Sequence, residues 1–549
     1  MPNTPLPIDT PEQLRALLGD DWTFSDAQFA AITAPLEPAV VIAGAGSGKT
    51  TVMAARVVWL VATGRVRPAE ILGLTFTTKA TAELETRIRE SLRRAGLLPE
   101  RGAARPLSEP GSTHDGADDE AEEPDEPTVS TYHSYASNLL SEHGLRIGHE
   151  PDTRLITDAS RFQLAARAVQ RYAAPVEHLS DSPAHVVRYL LALDAEMSEH
   201  LVSPDDVRRH DAEQRPLFEA GMAAESRSTY RAKNEKAISV IAARAELLGL
   251  VETYRGLKRH LGLLDFSDQI ALAARLAREC PEVGEAERLK YRVVLLDEYQ
   301  DTSVAQALML SRLFSGPDVD SGLGHPVTAV GDPNQAIYGW RGASVSNILE
   351  FGADFPSADG TRPTYPLVVN RRSDARILAT ANHLAAELYE TRPDLLPLEP
   401  KPDAADGVVR AIVHETFDDE LAWLADEVLA THARLAASTD EPVWKEIGVL
   451  TRNNSHAAAA FDALTDREIP VEIVGLKGLL RLPEVAEVVA TLTLVQDVTA
   501  NAALLTLLAG PRWAIGPRDL ALLGRRAGEL AGSRVGGEAF VDVHEQLAA

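Results

Sequence analysis

The sequence predicts an α/β fold of parallel-sheet domains with helical insertions. Three observations carry the prediction. Short, wholly apolar runs rich in β-branched residues and leucine recur between helix-length stretches, the pattern of parallel strands covered on both faces. One such run, Ala39–Ala43, passes straight into a glycine-rich turn and then a stretch free of Gly and Pro. From about Ser134 to Gly262 the pattern is mostly helical, with breaks near Pro151, Pro175, Pro183 and Pro204, as an insertion within one α/β domain would be.

The whole chain sets limits. Its 549 residues predict several domains, and 45% apolar content allows a sizeable core. A net charge of −27 argues against a generic nucleic-acid binder, so any DNA contact must come from a local groove. Part of that charge sits in one block, Asp115–Glu126. Cys280 is the only cysteine, which excludes internal disulfides and reads as a cytoplasmic protein. No run of eighteen apolar residues marks a membrane span. The start, Met1–Thr10, is Pro-rich without Lys or Arg and does not read as a signal peptide.

In chain order, a lead-in over 1–20 is followed by Ser25 or Asp26 capping a short helix that carries Gln28. The first strand and its turn come next, with Val52, Met53, Ala55, Val57 and Leu60 supplying an apolar helix face. A second strand over Ile71–Phe76 leads to a helix at about Thr81–Ala95. Pro99–Pro127 is rich in Gly, Pro, Ser and acid and predicts a disordered surface insert. Strand-like order returns at Thr128–Ser134. After the helical stretch, strands are predicted at Tyr291–Glu298, Pro326–Asp332 and Thr364–Asn370. A second α/β unit starts near Arg372, with strands expected at Gly407–Val413, Ile447–Thr451 and Pro470–Gly475, and helices from about Leu482.

The turn after the first strand is Ala43-Gly44-Ala45-Gly46-Ser47-Gly48-Lys49-Thr50. It fits G-x-x-x-x-G-K-[ST] with Ala43 in the first Gly position, and it has the strand before and helix after that the motif requires. Glycines let backbone N–H groups turn toward phosphate oxygens, and the helix N-terminus adds positive charge there. Lys49 is expected on the β- and γ-phosphates of a nucleoside triphosphate and Thr50 on Mg²⁺. The alternative is a glycine-rich turn that binds nothing.

Asp297-Glu298 closes a strand, where Asp297 can hold Mg²⁺ and Glu298 can polarise an attacking water. Alone, an acidic pair at a strand end says little; with the phosphate loop it says much more. Gly331–Ala343 sets polar residues close to Tyr338, Trp340 and Arg341. Aromatic rings stack on bases without demanding a sequence, so this stretch can join nucleotide sensing to grip on a single strand. The alternative is that Tyr338 and Trp340 are core aromatics.

Together, Gln28, AGAGSGKT at 43–50, TFTTKA at 75–80, STYHS at 130–134, LDFSD at 264–268, LLDEYQDTS at 295–303, VGDPNQAIYGWRGA at 330–343 and NRRS at 370–373 resemble the ordered motifs of superfamily 1 helicases of the UvrD/Rep/PcrA/RecB type. The resemblance implies an ATP-driven, 3′-to-5′ translocase on single-stranded DNA and at single-strand/duplex junctions, built on RecA-like P-loop domains. Gln28 would contact adenine, and Ala43, Gly44, Ala45, Gly46, Ser47, Gly48, Lys49 and Thr50 would bind ATP. Asp297 would join Thr50 on Mg²⁺, with Glu298 activating water. Gln335 would sense the γ-phosphate, and Arg372 would contact it. Phe76, Thr77, His133, Tyr338, Trp340 and Arg341 would line the DNA track, with ordinary packing the alternative for Phe76 and His133.

The implied domains are 21–98 with 255–371 as the first RecA-like domain, 99–254 as its helical insertion with an acidic insert at about 103–127, 372–478 as a partial second RecA-like domain, and 479–549 as the start of a helical subdomain. The sequence departs from the family in several places. Arg371 stands where a tyrosine is usual before Arg372. Tyr299 and Tyr132 replace phenylalanines, and Thr78 precedes Lys79 in place of Asn. T-x-H-x-A-K-G-L-E and a segment with a second arginine are not found, which predicts a chain lacking its C-terminal motor motifs. Within the family, Met53–Val61 and Thr131–Ser141 resemble the B subunit of the actinobacterial AdnAB helicase–nuclease, implying a second subunit. The rival functions are another phosphate-loop enzyme, such as a nucleotide kinase or transport ATPase, and a nucleotide- and DNA-binding scaffold or inactive helicase-like subunit.

Overall fold

The computed structural model describes residues 6–19, 23–98, 126–150, 153–180, 182–392, 395–437, 443–473 and 483–530. The chain divides into two units, Met1–Val409 and Arg410–Ala549.

The first unit is built on a six-stranded parallel sheet. Its strands are β1 (Ala39–Ala43), β2 (Ile71–Thr75), β3 (Thr128–Thr131), β6 (Val293–Leu296), β7 (Val327–Gly331) and β8 (Thr364–Leu367), in the order β3-β2-β6-β7-β1-β8. Two-residue pairs complete the strands: β4 (Arg154–Leu155) with β5 (Leu263–Leu264), and β9 (Val369–Asn370) with β10 (Glu399–Pro400). The apolar runs are continuous because both faces of the sheet are covered, and side chains alternate between them. Val41, Val293 and Leu295 join one core, packed by α1 (Pro11–Leu18), α2 (Asp26–Ile32), α3 (Lys49–Ala62) and α4 (Thr78–Arg94). Val40, Val294 and Leu296 join the other, whose helices are α5 (Tyr132–His143), α10 (Phe266–Glu279), α11 (Pro281–Lys290) and α12 (Val304–Phe314). Arg56, on α3, is fully buried. Its guanidinium donates to the carbonyls of Ile32 at 3.0 Å and Ala34 at 2.9 Å, satisfying the end of α2.

Between α5 and α10 lies the expected helical insertion, α6 (Asp158–Arg171), α7 (Pro183–Glu199), α8 (Pro204–Ala224) and α9 (Ser228–His260). Its core is made by α6, α7 and α9. The insertion is tied at its base by Lys258, whose buried Nζ donates to Asp194 at 2.9 Å, Asp265 at 3.1 Å and Asp268 at 2.7 Å. Asp265 and Asp268 are the carboxylates of the LDFSD stretch and also form the capping box of α10, so they serve the junction. The predicted disordered insert falls almost wholly at 99–125, outside the described residues; Glu126 accepts from Arg89 at 3.0 Å.

In the second unit the helices Phe417–Ala436 and Asn454–Thr465 pack around Ala425, Val428, Leu464 and Ile469. Further helices run over Pro483–Gln496, Asn501–Ala509 and Pro517–Leu530. The strands expected at Gly407–Val413, Ile447–Thr451 and Pro470–Gly475 are corrected: their described residues form no ladder. A strand exists only through hydrogen bonds to a neighbour, and the described residues of these segments make no such ladder. Val413 is 96% and Leu450 99% exposed.

Candidate functional site: a phosphate loop, an acidic pair and an aromatic ladder

Parallel strands bring their carboxyl ends to one edge, where ligands of open α/β sheets bind. The four neighbours β6-β7-β1-β8 each deliver a predicted site segment to that edge: Asp297-Glu298, Asp332–Gln335, the 43–50 loop and Asn370–Arg372. The remaining strands, β2 and β3, deliver Phe76-Thr77 and Tyr132-His133.

The loop has the conformation its glycines allow. Gly46 has φ 68° and Gly48 φ 87°, left-handed values that a side chain would strain. Asn370 clamps the loop: its Nδ2 donates to Ala45 O at 2.7 Å, while its Oδ1 accepts from Arg372 N at 2.9 Å and Ser373 N at 2.7 Å. A Cβ at Gly44 would meet Leu398 Cδ2 at 2.0 Å, so the Leu398 side chain would have to shift. Lys49 and Thr50 open α3.

Lys49 Nζ lies 2.6 Å from Glu298 Oε2. Glu298 itself is left-handed, with φ 47° and ψ 43°. That conformation costs a non-glycine residue about 1–3 kcal/mol and is kept only where surroundings hold it, which marks functional positions. Asp297 is buried, and burial first, then the neighbouring Glu298 carboxylate, pushes its pKa up to about 7. Its Oδ1 is buried without a hydrogen-bond partner, and Tyr132 Oη donates to its backbone oxygen at 2.9 Å. A partnerless buried carboxylate oxygen beside a cradle of left-handed glycines and a lysine fits a triphosphate with its magnesium.

Gln28 sits at the third position of the α2 capping box, with Oε1 accepting from Ser25 N at 3.1 Å. Its Nε2 donates to Ser47 O at 2.9 Å and its Oε1 also accepts from Arg371 Nη2 at 3.0 Å. Ser25, not Asp26, is the cap. Arg371 thus joins Gln28, while Arg372, exposed, stands with its Cβ beside Gly46. Asn370 and Arg371 lie in the NRRS stretch that carries the resemblance, but neither is assigned a site role there, since the sequence does not show which distant groups they meet.

Phe76, Tyr338 and Trp340 form a ladder, with ring centroids 4.9 Å apart for the first pair and 6.5 Å for the second. Trp340 is 68% exposed, so it is not a core aromatic. Tyr338 and Phe76 are half-buried. The backbone of Arg341 ends the turn Gly339–Arg341. Gln335 Nε2 donates to Asp332 Oδ2 at 2.6 Å. Thr77 caps α4 by accepting from Ala80 N. His133 packs edge-on to Phe266 at 5.6 Å, and burial lowers its pKa.

No helix among the described residues is long and apolar enough to cross a membrane.

Comparison with known proteins places the chain in a family. The chain is 28% identical over 88% of its length to an ATP-dependent DNA helicase UvrD1 of Mycobacterium tuberculosis, covering 53% of that protein. It is 26% identical over 91% of its length to a DNA helicase II of Haemophilus influenzae, covering 58%. An ATP-dependent DNA helicase PcrA of Leuconostoc citreum is 27% identical over 90% of the chain, covering 55%. The chain therefore spans about half the length of the curated relatives it matches. The UvrD-like helicase C-terminal domain matches residues 365–534. That match corrects the expectation of a chain lacking its C-terminal motor motifs: a domain's pattern is spread over its whole length, and two short strings sample little of it. The UvrD/REP helicase N-terminal domain matches residues 24–356, and with both domains matched in order the chain belongs to the UvrD/REP helicase family.

Proposed function

We propose that the chain is the motor of an ATP-dependent DNA helicase that moves 3′ to 5′ along single-stranded DNA, and that it acts in DNA repair or recombination. One observation carries the reading. Segment 332–341 begins in the hydrogen bonds of the acidic edge and ends in a ladder of rings with Phe76, so one short piece of chain meets both a nucleotide site and a base-stacking surface.

In this reading ATP is the substrate. The loop amides and Lys49 bind its phosphates, Gln28 meets adenine, and Gln335 and Arg372 read the γ-phosphate. Glu298 takes the proton of the attacking water. Thr50 and Asp297 would hold magnesium, which when bound neutralises phosphate charge. Phe76, Tyr338 and Trp340 stack on bases, with Thr77, His133 and Arg341 beside the strand. Residues 21–98 and 255–371 form the first motor domain, 99–254 its insertion, 372–478 the second motor domain and 479–549 helical subdomain residues. The nucleotide-kinase reading leaves the exposed Trp340 without a purpose, and the scaffold reading leaves the strained Glu298 without one. A second subunit rests on the segments 53–61 and 131–141 alone and is not part of the proposal.

Strand displacement tests it. With ATP, a duplex carrying a 3′ single-stranded tail should be opened and one with a 5′ tail should not. Displacement without ATP, or with no preference for the 3′ tail, contradicts the reading.

A further inference from the structure

Gln300 is 1% exposed, and its amide is used at both ends. Its Nε2 donates to Glu298 Oε2 at 2.9 Å and to Asp301 Oδ2 at 3.2 Å. Its Oε1 accepts from Asp332 N at 3.1 Å. Asp332 continues the line, accepting Gln335 Nε2 on Oδ2 at 2.6 Å and Asn334 N on Oδ1 at 3.0 Å. At the other end, Glu298 Oε2 also meets Lys49. One connected set of hydrogen bonds therefore runs from Lys49 through Glu298, Gln300 and Asp332 to Gln335, and Tyr338 follows three residues on.

The chemistry of this line is specific. A buried amide is costly unless every group is met, and here each end meets a different segment. The amide donates to the carboxylate on one side and accepts from the backbone N–H on the other, which an apolar side chain cannot do. Gly331 leaves the space, since a Cβ there would lie 2.2 Å from Gln300 Oε1. Packing alone would be served as well by an apolar side chain of the same length.

We propose that Gln300 is a positioning residue that couples the phosphate loop to the aromatic ladder. When Lys49 turns from Glu298 to a phosphate, Glu298 loses its cation partner and draws harder on the Gln300 N–H. The Gln300 carbonyl is fixed to Asp332 N, so the change reaches the start of the segment that carries Gln335, Tyr338 and Trp340. The inference rests on the ATP- and DNA-binding reading above and adds the residue that links the two sites.

Titration of a fluorescent oligothymidylate with and without a non-hydrolysable ATP analogue and Mg²⁺ tests it by equilibrium binding alone. The native chain should change its oligothymidylate affinity by about fivefold or more on nucleotide addition, within the usual range of coupling between sites. Gln300→Met should bind each ligand alone within about twofold of the native chain and show less than about twofold coupling. Coupling kept in Gln300→Met, or a native chain that binds both ligands without coupling, overturns the relay. A native chain that binds neither ligand overturns the functional reading and the relay with it.

Discussion

Lys49 Nζ and Glu298 Oε2 stand 2.6 Å apart, so the phosphate loop's cation and the acidic edge's strained carboxylate are each other's partner. In the proposed function a nucleotide competes with Glu298 for Lys49. Glu298→Gln should therefore raise affinity for an ATP analogue, by about threefold to tenfold for a pair worth about 1 kcal/mol. The same change should lower turnover about 10²–10⁴-fold, the worth of a general base. Calorimetry and a phosphate-release assay on one preparation check both. Weaker binding in Glu298→Gln would contradict the competition.

The ladder predicts a separate loss. Trp340→Ala removes an exposed ring, so thermal stability should be unchanged. Affinity for oligothymidylate should fall about 5- to 150-fold, equivalent to about 1–3 kcal/mol for one stacked base, while nucleotide affinity holds. Anisotropy titration measures this, and unchanged DNA affinity would remove Trp340 from the track.

The two arginines after Asn370 should differ. Arg371 is engaged with Gln28, and Arg372 is exposed beside Gly46. Arg372→Ala should cut turnover steeply, toward the 10³–10⁵-fold range of a transition-state arginine, and leave nucleotide affinity nearly intact. Arg371→Ala should act through Gln28 and weaken nucleotide binding. Steady-state kinetics with independent binding measurements separates the two, and the reverse pattern would exchange their roles.

His325 stacks on Phe314 at 5.6 Å, and burial first, then Arg288, lowers its pKa to about 4. The fold favours the neutral ring. Its contribution is fully present above the unfolded value near 6.5 and is lost as pH falls through about 4. The native chain should thus lose up to about 3 kcal/mol more than His325→Gln between those limits. Chemical denaturation at several pH values gives the difference, and parallel curves for the two proteins would refute it.

The first unit was largely legible because its strands are buried on both faces. Val293–Leu296 and Val327–Gly331 are apolar throughout, and each ends in a polar segment that the parallel sheet carries to one edge. The conformation of the 43–50 turn was legible from residue type, since Gly46 and Gly48 need left-handed backbone. Asn370 and Gln300 were not legible, because an amide's worth lies in which distant backbone it meets. Arg56 was hidden for a related reason: nothing local says that a charged residue on an apolar helix will cap another helix. The second unit shows the opposite error. Val413 and Leu450 sit in strand-like runs, yet apolarity alone does not supply a ladder partner.

The most direct test of the account is ATP turnover measured as oligothymidylate is added, for the native chain and Lys49→Ala side by side. The account predicts turnover that rises with DNA in the native chain and is absent in Lys49→Ala. Turnover indifferent to DNA, or unchanged without Lys49, would contradict it.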